Sequence, residues 1–213
     1  MKHFKLMNYF LFLSLLTVAS FAGQSQSITW VTVKIDGLGS IGLPSNMEIQ
    51  GGAYKQISEK IKEVNGASAS KVIFQQKNLN NFDGNSFQTY ARVFLRTETA
   101  SAGDFKKLSE PLTQTEANEV NQQFKESIYS EATRANATIL EWNSAKVSNL
   151  NGHNAIKFGY KRQIGSNKPV LVEIYLIQNN DRLHTITFEY RLDDNNWSST
   201  FASIKSTIKI PTK

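Results

Sequence analysis

The chain has 213 residues and no cysteine, with 40% hydrophobic, 20% charged and 11% aromatic residues and a formal net charge of +6. This is the composition of an ordinary globular protein, and it argues against disorder or a fibre. Without cysteine there is no disulfide, no thiol nucleophile and no thiolate zinc site, so the fold must stand on burial alone.

Residues 1–22 set Lys2 and Lys5 ahead of an apolar run from Tyr9 to Val18, with Ser20 and Ala22 in the spacing of a signal-peptidase site. A signal peptide cleaved after Ala22 is expected, and with it export to the periplasm or the medium. The run falls short of the roughly 20 residues of a bilayer-spanning helix, so no membrane span is expected in the mature chain. Losing Lys2 and Lys5 lowers the 24 basic side chains to 22 against 18 acidic ones, or +4. The remaining cations are scattered as Lys60 and Lys62, Lys106-Lys107 and Lys161-Arg162; no nucleic-acid partner is expected from such a pattern. Residues 23–213 read as a single domain, with no repeat or linker dividing them.

Thr29, Val31, Val33 and Ile35 alternate with Trp30, Thr32 and Lys34 ahead of Asp36-Gly37, which predicts a first strand over 28–35 and a turn. The stretch GSIGLPSNMEI, broken by Pro44, reads as a brief strand running into a loop, and Tyr54 to Val64 as a short surface helix. Lys71 to Gln76 and Phe87 to Thr97 carry β-branched and aromatic residues with period two, joined as a hairpin through the polar NLNNFDGNS. After Pro111, Thr113 and Glu116 have capping-box spacing. Ala117, Val120, Phe124, Ile128, Ala132 and Ala135 then recur at threes and fours, the stripe of a long amphipathic helix.

The C-terminal third reads as a strand meander. Ala145 to Leu150 and Ala155 to Arg162 flank Asn151-Gly152, a strong hairpin signal. Val170 to Ile177 is apolar on both faces, as in a central strand covered on both sides. Leu183 to Arg191 puts His184, Ile186, Phe188 and Tyr190 on one face, and Trp197, Phe201, Ile204 and Ile208 predict a closing helix. The expected fold is α+β: an antiparallel sheet of about six or seven strands with a long middle helix and a C-terminal helix packed on it.

The segments NGHNAIKFGY, VEIYLIQNNDRLHTITFEY and NNWSSTFASIKSTIKI, with IGLPSNMEI near the start, resemble a Mog1/PsbP-like domain of exported bacterial proteins related to the DcrB group. The resemblance implies a three-layer α/β/α sandwich around the sheet. It carries no functional residue with it, because proteins on this fold serve unrelated roles.

The residues offer little assembled chemistry. Gly37-Leu-Gly39-Ser-Ile-Gly42 matches the glycine fingerprint of dinucleotide sites, but Leu43-Pro44-Ser45-Asn46 cannot continue as the helix whose amides would face a pyrophosphate. The glycines read instead as a tight reversal between two strands. His153 and His184 stand apart from any metal-ligand spacing, no GxSxG elbow occurs, and Glu173 and Glu189 look isolated on their strands. The acidic run before Trp197 suits helix capping better than calcium. No metal and no cofactor is therefore expected, and no enzyme activity. A ligand site is suggested only by Tyr90, Arg92, Phe94 and Arg96 on one strand face, echoed by Tyr160 and Arg162, because guanidinium groups between rings suit an anionic or aromatic ligand. The opposing reading is that a helix covers the rings while the arginine heads escape to the edge. The functional expectation is an exported non-catalytic protein that binds a partner protein or envelope component. The alternative is a small-molecule or lipid carrier with a cavity between sheet and helix, lined by residues such as Phe124, Ile128 and Phe94.

Overall fold

The computed structural model describes residues 28–51, 70–79, 89–108 and 110–212. The expected signal peptide, the expected 54–64 helix and the linker after Leu79 lie outside the described residues. Among the described residues nine strands and two helices follow in order: β1 (Trp30–Ile35), β2 (Gly39–Pro44), β3 (Met47–Ile49), β4 (Ser70–Gln76), β5 (Ala91–Thr99), α1 (Gln114–Arg134), β6 (Ala137–Leu150), β7 (His153–Ile164), β8 (Val170–Asn179), β9 (Arg182–Arg191) and α2 (Asn195–Thr207). Seven strands form an antiparallel sheet in the order β3-β4-β5-β9-β8-β7-β6, and β1 with β2 forms a separate antiparallel ribbon. The fold is α+β.

GSIGLPSNMEI thus supplies two strands rather than one, divided at Ser45-Asn46 and given to different sheets. The reversal at Gly37 holds: Gly37 has φ +75, and Gly39 has φ +133 with its Cα against the C-terminal segment, where a Cβ would stand 2.1 Å from the Lys209 carbonyl oxygen. Only glycine tolerates that approach.

Helix α1 begins as its capping box requires. Thr113 Oγ1 accepts from the Glu116 amide, and the Glu116 carboxylate accepts from the Thr113 amide at 2.7 Å. Its stripe, with Val120, Phe124 and Ile128, packs on Trp142, Phe158, Ile174 and Leu176, and Phe124 stacks on Phe158 at 4.5 Å between ring centroids. Strand β6 begins eight residues before the expected Ala145, because the stretch from Ala137 to Asn143 pairs with the far end of β7. The register shifts between Ile139 and Glu141 and again between Asn143 and Lys146. Such irregularities hide the period of two from the sequence. At the second shift the Ala145 amide loses its ladder partner and donates instead to Asn121 Oδ1 at 2.8 Å; the same oxygen accepts from Trp142 Nε1 at 3.1 Å.

The larger core joins the ribbon, the sheet and α2. Ile35, Leu38, Ile41 and Leu43 meet Tyr175, Ile177, Ile186, Phe188, Trp197, Phe201 and Ile204 there. Strand β8, interior in the sheet as expected, divides its side chains between the two clusters: Tyr175 and Ile177 face the core with α2, Ile174 and Leu176 the cluster with α1. Asp194 caps α2 through the amides of Asn196 and Trp197. Trp197 Nε1 donates to Thr89 Oγ1 at 2.8 Å, and that hydroxyl donates to Asp194 Oδ2 at 2.6 Å, fixing the helix start to the approach of β5.

Candidate functional site

Alternation along β5 buries Ala91, Val93, Leu95 and Thr97 on the core side and turns Arg92, Phe94 and Arg96 to the other. Registry sets Arg92 opposite Glu189, Glu189 opposite Val172, and Val172 opposite Tyr160. Tyr90, Arg162 and Glu189 therefore converge. The Tyr90 hydroxyl donates to Glu189 Oε2 at 2.6 Å, and Arg162 Nη2 donates to the same oxygen at 2.9 Å while lying 3.3 Å from the phenol. The Arg92 guanidinium lies over the Tyr90 ring, 5.3 Å from its centroid, with its Nε buried and without a hydrogen-bond partner. Arg96 stands apart, exposed and paired along its own strand with Glu98 at 3.3 Å.

Burial dominates the electrostatics of this cluster. It pushes the Tyr90 phenol well above its ordinary range, and the Glu189 carboxylate adds to the rise. Tyr160, stacked on Trp142 at 6.1 Å, is pushed up to about 12 for the same two reasons. For Arg162, burial disfavours the charge, yet Glu189 and the neighbouring phenols outweigh it and hold the guanidinium above its ordinary value. Arg162 is thus a cation held by an internal partner, whereas Arg92 carries the donor left over.

A second acidic hub lies on the opposite face of β8. Glu173 receives the ammonium groups of Lys157 from β7 and Lys205 from α2. Glu173 and Glu189, expected to stand isolated on their strands, are instead each paired with cations from neighbouring elements. Each lies on a mostly covered strand, where a carboxylate requires a cation from a neighbouring element. That requirement was the signal available in the sequence. His184 is fully buried, with Nδ1 3.0 Å from Thr97 Oγ1, the core histidine that its apolar face implied.

Two open clefts flank the ribbon. One, of about 520 Å³, is lined by the Gly37–Gly39 turn with Lys34, Asp36, Asn179, Arg182 and Pro211; Arg182 Nη1 donates to the Gly37 carbonyl at 2.6 Å. The other is a mostly apolar groove of about 310 Å³ between β1–β2 and the β3 edge, lined by Val31, Val33, Leu43, Met47, Ile49 and Phe74, with Glu48 and Lys77 also on its wall. Val31 and Ile49 are 57% and 60% exposed at its rim. The sequence does not single out these residues, because β3 is three residues long and shows no period. Between α1 and the sheet, Phe124 and Ile128 pack into the cluster around Phe158, and Phe94 lies under the Lys71 ammonium at 5.7 Å.

No protein-family model matches the chain, and no curated protein matches it. Among solved structures it is similar to cyanobacterial PsbP (CyanoP) from Synechocystis sp. PCC 6803. The two share 16% identity over 91% of this chain and 99% of that one, with a TM-score of 0.48. A crystal structure from Bacteroides thetaiotaomicron VPI-5482 is similar over 82% of this chain and 45% of its own, at 7% identity and a TM-score of 0.37. Among the described residues no helix is long and apolar enough to cross a membrane.

Proposed function

We propose that this chain is an exported, non-catalytic protein that binds a partner protein through the apolar groove between the β1–β2 ribbon and the β3 edge. The observation that carries this reading is the groove itself: exposed Val31 and Ile49 frame apolar walls beside a sheet edge, which suits an extended segment with alternating apolar side chains. In this reading residues 1–22 are the cleaved signal. Residues 23–213 are one three-layer domain of the DcrB-related type, with α1 and α2 on opposite faces. The two clusters drawn from alternate residues of β8 support that layering.

The test uses the full chain in its own cells with a photo-crosslinking residue at Ile49. A discrete adduct with another protein, lost in Val31→Asp while the soluble fold persists, supports the reading. Adducts with a second copy or with lipid alone overturn it. Intact mass of the mature protein checks export, since retention of residues 1–22 in the cytoplasm would refute it.

A second reading rests on Arg92, whose buried Nε lacks a hydrogen-bond partner beside the Tyr90–Glu189–Arg162 network. A small anionic or aromatic ligand there would engage Arg92, with Tyr90 as the stacking surface and Arg162 as the fixed neighbour. Calorimetric titration with inorganic phosphate and with benzoate tests it. Saturable heat that disappears in Arg92→Gln supports the site, and its absence with both probes removes it.

A further inference from the structure

The outer edge of β1 has a definite hydrogen-bonding phase. The Ser45 amide donates to the Thr29 carbonyl at 2.7 Å, so Thr29 is a hydrogen-bonded pair with Ser45, and by alternation Val31, Val33 and Ile35 also point their main-chain groups at β2. The far side of β2 agrees. Gly42 and Ser40 face Thr32 and Lys34 across the ribbon, and their amides turn away from β1, to Thr207 Oγ1 at 2.8 Å and the Lys209 carbonyl at 3.0 Å. Trp30, Thr32 and Lys34 must therefore direct their N–H and C=O groups outward. Among the described residues no strand pairs with that edge, and its side chains are open to solvent, with Trp30 45% and Val31 57% exposed.

The geometry points to a second copy of this chain as the occupant of that edge, paired antiparallel about a two-fold axis at Thr32. In this register Thr32 meets its own counterpart and Trp30 meets Lys34. These are the residues with outward main-chain groups, so three pairs exchange six hydrogen bonds. The side chains agree independently. Each Lys34 ammonium falls on the partner's Trp30 ring face, an electrostatic match made twice, and Val31 falls opposite Val33 in the close non-hydrogen-bonded positions. A shift by one residue would set inward-pointing groups against outward ones. A shift by two would put Lys34 opposite Thr32 and break the ring–cation match. The pairing uses the outer edge of β1, with Val31 and Val33 shared between that edge and the groove, and needs nothing from the β3 side of the groove, so it does not rest on the partner reading above.

A two-strand junction buries less than the roughly 1,200–2,000 Å² of a stable standard interface, so the dimer is weak and its population follows concentration. The experiment uses the mature chain, whose lack of cysteine makes introduced thiols unique. Sedimentation velocity of the parent should show a monomer–dimer equilibrium. Lys34→Glu, an exposed change, should weaken it about tenfold through loss of two ring–cation contacts. Under mild oxidation Thr32→Cys should cross-link with itself, and a mixture of Val31→Cys and Val33→Cys should cross-link better than either alone. A parent that stays monomeric at millimolar concentration overturns the proposal. So does cross-linking of Val31→Cys with itself that matches the mixture, because it would mean another register.

Discussion

Removing the ring of Phe201 should cost much of the stability of the domain. Phe201 is 1% exposed in α2, and its ring touches three others: Phe188 and Tyr190 with centroids at 5.4 Å and Trp197 at 5.8 Å. Strands β8 and β9 supply the floor of this nest, and α2 has no other large anchor between Trp197 and Ile204. Phe201→Ala therefore leaves a cavity that α2 and the strands beneath it would have to move to close. Truncations of this kind cost about 3–5 kcal/mol against a total of roughly 5–15 kcal/mol for a domain. With a urea dependence of about 2 kcal/mol per molar, the unfolding midpoint should fall by about 2 M. Circular dichroism through a urea series reads this directly. Leu192→Ala, at a side chain 36% exposed, is the control and should shift stability by no more than about 0.5 kcal/mol. If Phe201→Ala moved the midpoint no further than Leu192→Ala, α2 would not be docked in the core and the argument from its ring contacts would fail.

Three further outcomes are expected. Burial tends to raise the Glu173 carboxyl, but Lys205 and Lys157 outweigh it and hold the group below its ordinary 4.5, while Lys157 is held above its own ordinary value by the same carboxylate against burial. The Glu173 contribution is therefore complete above its ordinary pKa and is lost as pH falls through the lower folded value; urea midpoints of the parent should drop in acid, and those of Glu173→Gln should start lower at neutral pH and fall less. Asn121→Ala should cost about 1–3 kcal/mol, because the buried Ala145 amide and the Trp142 indole lose one shared acceptor, and thermal melts equal to the parent would show that water replaces it. Gly39→Ala, with its Cβ required 2.1 Å from the Lys209 carbonyl, should loosen the C-terminal segment and speed amide exchange at Ser40; unchanged exchange there would contradict the crowding.

The elements that could be read from the sequence are those whose neighbours repeat regularly. The stripe of α1, the Thr113–Glu116 box and the Asn151-Gly152 hairpin are local patterns, and each appears in place. The first half of β6 was not legible because two register shifts break its alternation, and the compensating acceptor, Asn121, lies on a helix 24 residues earlier. Strand β3 is three residues long, too short to show any period, and exists because β4 pairs with it. The cluster at Tyr90 was half legible. Alternation put Tyr90 and Arg92 on one face, but only the strand order β5-β9-β8-β7 brings Arg162 within reach of them and installs Glu189 between. The same order separates Arg96, which alternation alone had grouped with the others.

The distribution of charge and apolar surface decides between modes of recognition. Cations on the sheet faces are matched locally, Arg162 by Glu189 and Lys157 and Lys205 by Glu173, so the excess of positive charge in the sequence does not become a concentrated field there. An anion approaching the sheet would have to compete with those internal carboxylates, and beside them Arg92 keeps a buried Nε without a hydrogen-bond partner, as Arg182 does at the start of β9. At the ribbon the balance is reversed. Trp30, Val31 and Ile49 keep large apolar surface in water next to a run of main-chain donors and acceptors along β1. An exposed edge of this kind is a template for another strand unless something covers or blocks it. Within β1 only Lys34 carries charge, and in the two-fold register its ammonium meets an indole rather than another cation. The residue that would ordinarily oppose edge pairing therefore favours one particular register of it.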